Sequence, residues 1–255
     1  MLANPPARQV KSIQTAFELL NRIQALGGAT SAQLTEEVDL SKSSVHNYLA
    51  TLEMDGYVVN DNGVYRLGLR FLTHGAAAKS MAGLAQPIVE TLQTAAEEIS
   101  QPTWHVTEEY GRGYFIENAV PEGSTNLYGT VGKRSYLHTH ALGKAILALA
   151  SDDYVTQIVD YHGLPAQTRQ TVTDPDELRE EIDAIRDRKF AIAEGEAVLG
   201  ILSVGVGFRD ANDRLHAIGI FGHSRNFAGN RAENIGRRLV QTVGDLEQQL
   251  QKEGS

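Results

Sequence analysis

The stretch 30–67 constrains the fold of this chain more than any other, because it predicts two short helices followed directly by a β-hairpin. Ser41 is a suitable N-cap for the second helix, since its hydroxyl can accept a hydrogen bond from a free N–H group of the first turn. Val45, Leu49 and Leu52 then recur at spacings of four and three, which places them on one helical face. This pattern indicates a helix that packs on a small core along one side.

The opposite face of the second helix carries short or flexible polar side chains, the types that reach phosphates and base edges in DNA. These side chains are Lys42, Ser43, His46, Asn47 and Thr51. A plain helical hairpin with a solvated polar face would show the same residues. The β-hairpin favours DNA binding, because a winged helix-turn-helix needs a wing directly after its recognition helix.

The turns of this stretch also have sequence signals. Asp39 stands between the two helices, where we expect a left-handed backbone conformation. Gly56 is expected to end the second helix, and residues 61–63 (Asp-Asn-Gly) predict a tight turn between strands that begin at Tyr57 and Val64.

The composition bounds the class of protein. The 255 residues allow one large domain or two modest ones, and an apolar content of 42% is enough for a buried core. There is no run of eighteen apolar residues and no charged-then-apolar signal at the start. There are also no cysteines, which excludes disulfides, thiolate catalysis and thiolate metal sites. We therefore expect a cytoplasmic protein.

The net charge of −9 is unusual for a DNA-binding protein, and its distribution is uneven. Residues 1–75 hold 6 Lys and Arg against 7 Asp and Glu, whereas residues 76–255 hold 17 against 25. The nearly neutral N-terminal part offers few cations for phosphates. Either an oligomer presents a few well-placed residues, or the host keeps a salty cytoplasm in which acidic surfaces keep proteins soluble. We favour the salty host, such as a haloarchaeon.

The rest of the chain predicts helices around an antiparallel sheet, which is an α+β architecture without internal repeats. The first helix should bury Ile13, Phe17, Leu20 and Ile23. The predicted helices are 11–26, 68–80, 87–100, 142–150, 154–161, one that starts at 174, and 230–252. The predicted strands of the larger part are 103–108, 113–119, 126–131, 190–194, 200–209 and 215–222.

With both halves laid out, the chain resembles the IclR family of transcriptional regulators over nearly its whole length. The N-terminal residues that carry the resemblance are Ser12-Ile13, Leu40 to Val45, Gly56-Tyr57-Val58 and Tyr65 to Gly68. The C-terminal ones are Val131-Gly132, Leu137-His138, Ala141 to Ala145, Glu196, Gly200 and the two closing strands. Each piece is short, and the order and spacing of the pieces make the match specific.

Three positions depart from the pattern of that family. Asp39 stands where the family usually has glycine in the turn, and Asn47 stands where it usually has arginine. Ser203 replaces a cysteine that is frequent in the first closing strand. The first two departures bear on DNA sequence preference, and the third bears on the ligand.

The resemblance implies a winged helix-turn-helix DNA-binding domain in residues 1–67, a linker helix in 68–82 and a GAF-like effector-binding domain with an antiparallel sheet in 83–255. It also implies a homodimer or homotetramer that places two recognition helices in successive major grooves of a near-palindromic operator, about 34 Å apart. We expect DNA contacts from Lys42, Ser43, Ser44, His46, Asn47, Thr51 and Arg66. Asn47 could bind adenine with two hydrogen bonds, whereas Lys42 and Arg66 would position the DNA backbone.

The family's effector site is a cup between the sheet and the Gly-Lys-Ala helix. The matching positions are Leu137, His138, Ala141, Leu142, Gly143, Ala193, Ile201, Ser203, Gly219 and Phe221. The N–H groups that open the helix at Leu142 and Gly143 could hold a carboxylate. Because Leu142, Ile201 and Phe221 make the cup more apolar than a very small polar acid requires, we expect an organic acid that is larger or partly aromatic.

Other chemistry finds little support in the sequence. His138 and His140 lack a third metal ligand at usable spacing, and Gly143-Lys144 lacks the remainder of a P-loop. We expect Lys144 on the surface and Glu196 in a structural or rim position. We therefore expect no metal, no cofactor and no catalytic residues in a ligand-responsive regulator of catabolic genes. An enzymatic C-terminal domain, or an architectural DNA-binding protein without an effector, remain the alternatives.

Overall fold

The computed structural model describes residues 9–82, 86–124 and 128–253, and the chain divides into two compact units between Met81 and Ala82. Within the described ranges, no helix combines the length and the apolar character that crossing a membrane requires.

The described residues of the smaller unit form four helices and a three-stranded antiparallel sheet. Its elements are α1 (Lys11–Ala25), β1 (Ala29–Thr30), α2 (Ser31–Glu37), α3 (Lys42–Met54), β2 (Val58–Asp61), β3 (Val64–Leu67) and α4 (Arg70–Met81). The strand order is β1-β3-β2, so the β2–β3 hairpin lies directly after α3. The predicted winged helix-turn-helix is therefore confirmed.

The core of the smaller unit joins all the layers of the motif. Leu19 of α1, Leu34 of α2, Val45 and Leu49 of α3, and Val58 of β2 are fully buried in one cluster. The face predicted for α1 is partly wrong. Leu20 and Ile23 are buried, but Ile13 and Phe17 are more than half exposed, because the core reaches only the C-terminal half of that face.

The turns of the smaller unit follow the sequence signals except at Asp39. Gly56 has a φ of +74° and follows the end of α3, and Asn62 and Gly63 have φ values of +53° and +90° in the hairpin turn. Asp39 does not take the left-handed conformation, so that expectation is wrong. Val38 is extended and the Leu40 N–H donates to its carbonyl, and this geometry reverses the chain without a left-handed residue.

The larger unit contains one six-stranded antiparallel sheet with helices on both faces. Its elements are α5 (Gln86–Ile99), β4 (Thr103–Glu109), β5 (Arg112–Ala119), β6 (Arg134–Tyr136), α6 (Ala141–Leu149), α7 (Asp152–His162), α8 (Pro175–Arg188), β7 (Ala191–Glu194), β8 (Ile201–Arg209), β9 (Leu215–His223) and α9 (Arg231–Glu253). The strand order is β6-β5-β4-β9-β8-β7, which confirms the predicted α+β class.

Alternation along the strands separates two hydrophobic cores. Trp104 and Val106 of β4 pack in the core under α6, α7 and α8, whereas Ile218 and Ile220 of β9 pack against α5 and α9. The glycines of β8 and β9 let α6 approach the sheet closely. A Cβ atom at Gly205 would lie only 2.8 Å from the Leu142 backbone.

One predicted strand of the larger unit is not observed. The expected strand 126–131 lies partly outside the described residues, and residues 128–131 are not a strand. Gly129 and Gly132 have φ values of +97° and +86°, which interrupt an extended run. The chain instead forms β6 slightly later, where Tyr136 pairs with Arg112 of β5.

Candidate DNA-contacting face and effector site

The N-terminus of α3 is organised by one serine. The Ser41 hydroxyl accepts a hydrogen bond from the Ser44 N–H at 3.2 Å, which confirms the predicted N-cap. The same oxygen lies 3.0 Å from the Ser43 hydroxyl and 2.9 Å from the Ser44 hydroxyl. Three hydroxyl groups therefore cluster at the positive end of the helix dipole, which suits contact with a phosphate.

The face of α3 opposite its core is open to solvent. Lys42, Ser43, His46, Asn47 and Thr51 are exposed, and Ser44 is half-buried. The Thr51 hydroxyl donates to the Asn47 carbonyl at 2.8 Å, so it already has a partner within the helix. Among the described residues, no side-chain hydrogen bond engages Lys42, His46 or the Asn47 amide, and these groups are available to an external partner.

The predicted wing residue has a partner of its own. The Arg66 guanidinium on β3 lies 2.6 Å from the Asp61 carboxylate at the hairpin turn, and both side chains are about half exposed. An exposed pair of this kind contributes little stability. A DNA phosphate could therefore replace Asp61 as the partner of Arg66.

A groove of about 650 Å³ lies beside α3, between α1 and α4, and the sequence interpretation did not find it. Ile13 and Phe17 of α1 and Tyr48 of α3 line one side, and Phe71 of α4 lines the other. No residue of α4 is buried, and Leu72 is 68% exposed. The exposed apolar residues of α1 were the available signal.

The effector residues predicted on the sheet come together under α6. Ala193, Ser203 and Phe221 are direct neighbours across β7, β8 and β9, and all three are buried. Ile201 is half-buried and packs against the same core. Gly219 contacts the predicted residue Leu142, because a Cβ atom there would lie 2.7 Å from the Leu142 Cδ1 atom.

The residues predicted to open α6 are also buried, and two N–H groups at this helix end have acceptors within the protein. The Ala141 N–H donates to the Ser203 hydroxyl at 3.0 Å, and the Gly143 N–H donates to His140 Nδ1 at 3.1 Å. Leu137 packs below them, and a Cβ atom at Gly143 would lie 2.2 Å from the Leu137 carbonyl oxygen. A ligand carboxylate that accepted a hydrogen bond from the Gly143 N–H would have to replace the His140 ring.

The two histidines before α6 are buried and neutral. His138 lies in the short 3₁₀ turn at 137–139, and His140 follows that turn as the N-cap of α6. His138 Nε2 donates to the Pro165 carbonyl at 3.2 Å, and burial lowers its pKa to about 4. His140 accepts through Nδ1, so Nε2 carries the proton and donates to Ser135 at 2.8 Å. Burial lowers the pKa of His140 to about 3.

Lys144 is not a surface residue, so that expectation is wrong. Its side chain is 1% exposed, and Nζ lies 2.7 Å from both carboxylate oxygens of the buried Glu196. Glu181 of α8 also pairs with Nζ. This arrangement supports the structural role predicted for Glu196, because the acid neutralises a buried cation.

Five rings form what we call the aromatic box, of which the sequence interpretation found only Phe221. The others are Trp104, Phe115, Tyr128 and His140. Tyr128 stacks on Phe221 with ring centroids 4.4 Å apart, and Trp104 meets Phe115 edge-on at 5.2 Å. Phe115 lies 5.9 Å from Phe221 and 5.6 Å from His140, so the box is continuous with the predicted effector residues.

Polar groups border the aromatic box. The Lys133 ammonium lies 3.3 Å from the Tyr128 ring centroid, and partial burial lowers its pKa. Burial raises the pKa of Tyr128 to about 12. Trp104 Nε1 is buried and has no hydrogen-bond acceptor in the described part of the chain. In the same part, no group of three His, Asp or Glu side chains is arranged to hold a metal ion.

Both halves of the chain match domains of known proteins. Residues 12–62 match the IclR helix-turn-helix domain, and residues 78–248 match the domain described as bacterial transcriptional regulator IclR C-terminal. The chain is 30% identical over 210 residues to the probable HTH-type transcriptional regulator ArcR of Halobacterium salinarum, covering 81% of this chain and 80% of that protein.

Solved structures share the fold at lower identity. Thermotoga maritima IclR superposes with a TM-score of 0.76 at 23% identity, covering 95% of this chain and 100% of that one. An IclR homologue from Microbacterium hydrocarbonoxydans, solved in complex with 4-hydroxybenzoate, gives a TM-score of 0.73 at 20% identity, covering 93% and 99%. The chain thus belongs to the IclR family of transcriptional regulators, with a DNA-binding helix-turn-helix and a C-terminal effector domain.

Proposed function

We propose that this protein binds a near-palindromic operator in double-stranded DNA and that a small organic acid, a carboxylate or an aromatic acid, modulates that binding. The single observation that carries the DNA-binding half is the exposed polar face of α3 beside a wing, on which Lys42, His46 and the Asn47 amide make no side-chain hydrogen bond among the described residues. The regulated genes would be catabolic, an assignment that rests on the family, and the protein would be cytoplasmic, an assignment that rests on the composition.

The DNA contacts divide by chemistry. Asn47 is the candidate for direct base recognition, because an exposed amide can pair with adenine through two hydrogen bonds. Lys42, His46 and Arg66 would contact phosphates, which fix the position of the helix without reading sequence. The hydroxyl groups of Ser43, Ser44 and Thr51 would add shorter contacts, although each has a partner within α3.

The second subunit that a palindrome requires would dock on the smaller unit. α4, in the predicted linker 68–82, has no buried residue, and the groove lined by Ile13, Phe17 and Phe71 is apolar and open. Burying these side chains against a second copy would remove apolar area from water. A homodimer or homotetramer would also concentrate the few cations of the smaller unit on one DNA molecule.

The effector would bind in the larger unit, where the predicted residues lie together between the sheet and α6. The homologue that was solved with 4-hydroxybenzoate supports an aromatic acid as the class of ligand. Binding would act on DNA affinity through a coupling free energy between the two sites, so DNA would change effector affinity by the same factor.

The test is a footprint of the purified full-length protein on DNA upstream of its own gene and of the neighbouring genes, at low and at molar KCl. We expect a protected near-palindrome with half-sites about one helical turn or a multiple of it apart. Protection that persists at molar KCl would support the high-salt explanation of the −9 charge. Absence of any specific site in genome-wide binding would contradict the proposal.

A further inference from the structure

Tyr128 differs from the other members of the aromatic box in where it comes from. Trp104, Phe115 and Phe221 project from strands β4, β5 and β9, and His140 caps α6. Tyr128 comes from the connection between β5 and β6 and belongs to no helix or strand. Four rings are therefore fixed by the framework of the unit, and one ring is inserted among them by a loop.

The backbone that follows Tyr128 is anchored separately from its ring. The Gly132 N–H donates to the Phe115 carbonyl at 2.8 Å, and the Phe115 N–H donates to the Lys133 carbonyl at 3.0 Å. Gly129, directly after Tyr128, has a φ of +97°. Because the loop is held to β5 at 132–133, a movement of the Tyr128 ring near Gly129 would leave these two hydrogen bonds to the sheet in place.

The Tyr128 ring is packed as a ligand would be. It is 7% exposed, stacks face to face on Phe221 at 4.4 Å, and contacts Phe115 at 5.8 Å and His140 at 6.3 Å. These spacings are typical of favourable aromatic pairs. The box is thus shaped for one flat six-membered ring, and the chain fills it with its own phenol.

Two donors point to the kind of substituent that a ligand should carry: the Lys133 ammonium over the Tyr128 ring, and the Trp104 indole, which packs against Gly129 directly after Tyr128. The Lys133 ammonium, 3.3 Å from the ring centroid, has no carboxylate within ion-pair distance among the described residues. The Trp104 indole N–H is buried without an acceptor over the same described ranges, and such donors are rare in folded proteins. A carboxylate on the incoming ring would supply the missing acceptor and the missing anion.

We propose that Tyr128 is a built-in plug of the effector site, and that an aromatic monocarboxylate displaces it by placing its own ring on Phe221 and its carboxylate towards Lys133 and Trp104. This inference rests on the proposed function and specifies the ligand class and the event that binding triggers. Because the ligand competes with Tyr128, its apparent dissociation constant is the intrinsic one divided by the fraction of molecules with an open box.

The direction in which Tyr128→Ala changes ligand affinity distinguishes a plug, which competes with the ligand, from a residue that lines the ligand site. A plug lowers ligand affinity, so Tyr128→Ala should tighten benzoate binding at least fivefold. A residue that lines the site would stack on the ligand, so the same change would weaken benzoate binding and overturn the proposal. Phe221→Ala should weaken binding at least fivefold, and Tyr161→Ala, at an exposed tyrosine of α7, is the matched control and should change nothing. Trp104 is the only tryptophan in the chain, so its fluorescence reports binding in the full-length protein.

A measurement on the wild-type protein covers the case in which Tyr128→Ala fails to fold. Tetranitromethane nitrates accessible tyrosines, and mass spectrometry locates the modified residue. Saturating benzoate should raise the nitration of Tyr128 severalfold, because the ring leaves the box, while exposed Tyr161 should stay constant. Unchanged or reduced nitration of Tyr128 would overturn the plug.

A ligand series tests the chemical class and separates this inference from the proposed function. Benzoate should bind more tightly than cyclohexanecarboxylate, acetate should not bind detectably, and Lys133→Met should weaken benzoate at least tenfold. If the protein protects an operator and binds no aromatic acid, the plug proposal is wrong and the proposed DNA-binding function stands. If benzoate displaces Tyr128 and no operator exists, the proposed DNA-binding function is wrong and the plug proposal stands.

Discussion

Two helices of this protein begin in opposite environments, and the contrast explains how one chain can serve two kinds of partner. α3 begins at the solvent, capped by Ser41, and in the described part of the chain Lys42, His46 and the Asn47 amide on its polar face make no side-chain hydrogen bond. α6 begins inside the larger unit, where Ser203 and His140 accept hydrogen bonds from the Ala141 and Gly143 N–H groups. An exposed start would meet DNA without rearrangement, whereas a ligand that replaced His140 at the buried start would displace a group that the protein already uses.

The largest effect that this contrast predicts concerns Lys144, one turn into α6. Lys144→Met would leave Glu196 buried without its cation, so we expect the larger unit to lose about 3–5 kcal/mol of unfolding free energy. Denaturant unfolding followed by Trp104 fluorescence measures this loss. Lys252→Met, at an exposed position of α9, is the control. A loss below about 1 kcal/mol would mean that solvent reaches the pair.

The pH dependence of stability provides a second test of the buried start of α6. The pKa values of His138 and His140 are lowered to about 4 and about 3 in the folded protein, against 6.5 when unfolded. Below pH 6.5 the unfolded state binds protons first, so each histidine should remove about 1.4 kcal/mol per pH unit until its folded pKa is reached. Their stabilising contribution is complete above pH 6.5.

The variant His140→Asn isolates one of these two protons. The slope of unfolding free energy against pH between 6.5 and 4.5 should decrease by about 1.4 kcal/mol per pH unit. Equal slopes for His140→Asn and the wild type would show that His140 titrates normally in the folded state.

The smallest effects compare the two helix starts directly. Ser203→Ala would leave the Ala141 N–H buried without an acceptor, at a cost of about 1–3 kcal/mol. Ser41→Ala removes an exposed cap, at a cost of about 1 kcal/mol, since water replaces the hydroxyl. Native-state hydrogen exchange on α6 and α3 measures both. A larger loss of stability in Ser41→Ala than in Ser203→Ala would contradict the contrast between an exposed and a buried helix start.

Local signals in the sequence were sufficient for most of the fold. The Ser41 cap, the Gly56 stop and the Asp-Asn-Gly turn each act within a few residues, and all three are observed. β6 was missed because two glycines with positive φ shift the extended run towards Tyr136. The hydrophobic pattern does not encode that shift.

The interior of the effector domain was less predictable, because its contacts join distant parts of the chain. Lys144 meets Glu196 from another element, and a lysine on a helix carries no local sign of burial. Tyr128 stacks directly on Phe221 and reaches Trp104 through the Phe115 ring, and the strand order β5-β4-β9 brings the rings of those strands together. Spacing along the sequence contains no information on such pairs.

The most direct test of the central claim, that the exposed face of α3 recognises DNA, is the affinity of Asn47→Ala for the operator found by footprinting. The account predicts a loss of about 1–3 kcal/mol in binding free energy, together with reduced discrimination at one adenine of each half-site. Asn21→Ala, the same change at an exposed position of α1, should bind as the wild type does. Wild-type affinity and sequence preference in Asn47→Ala would contradict the account.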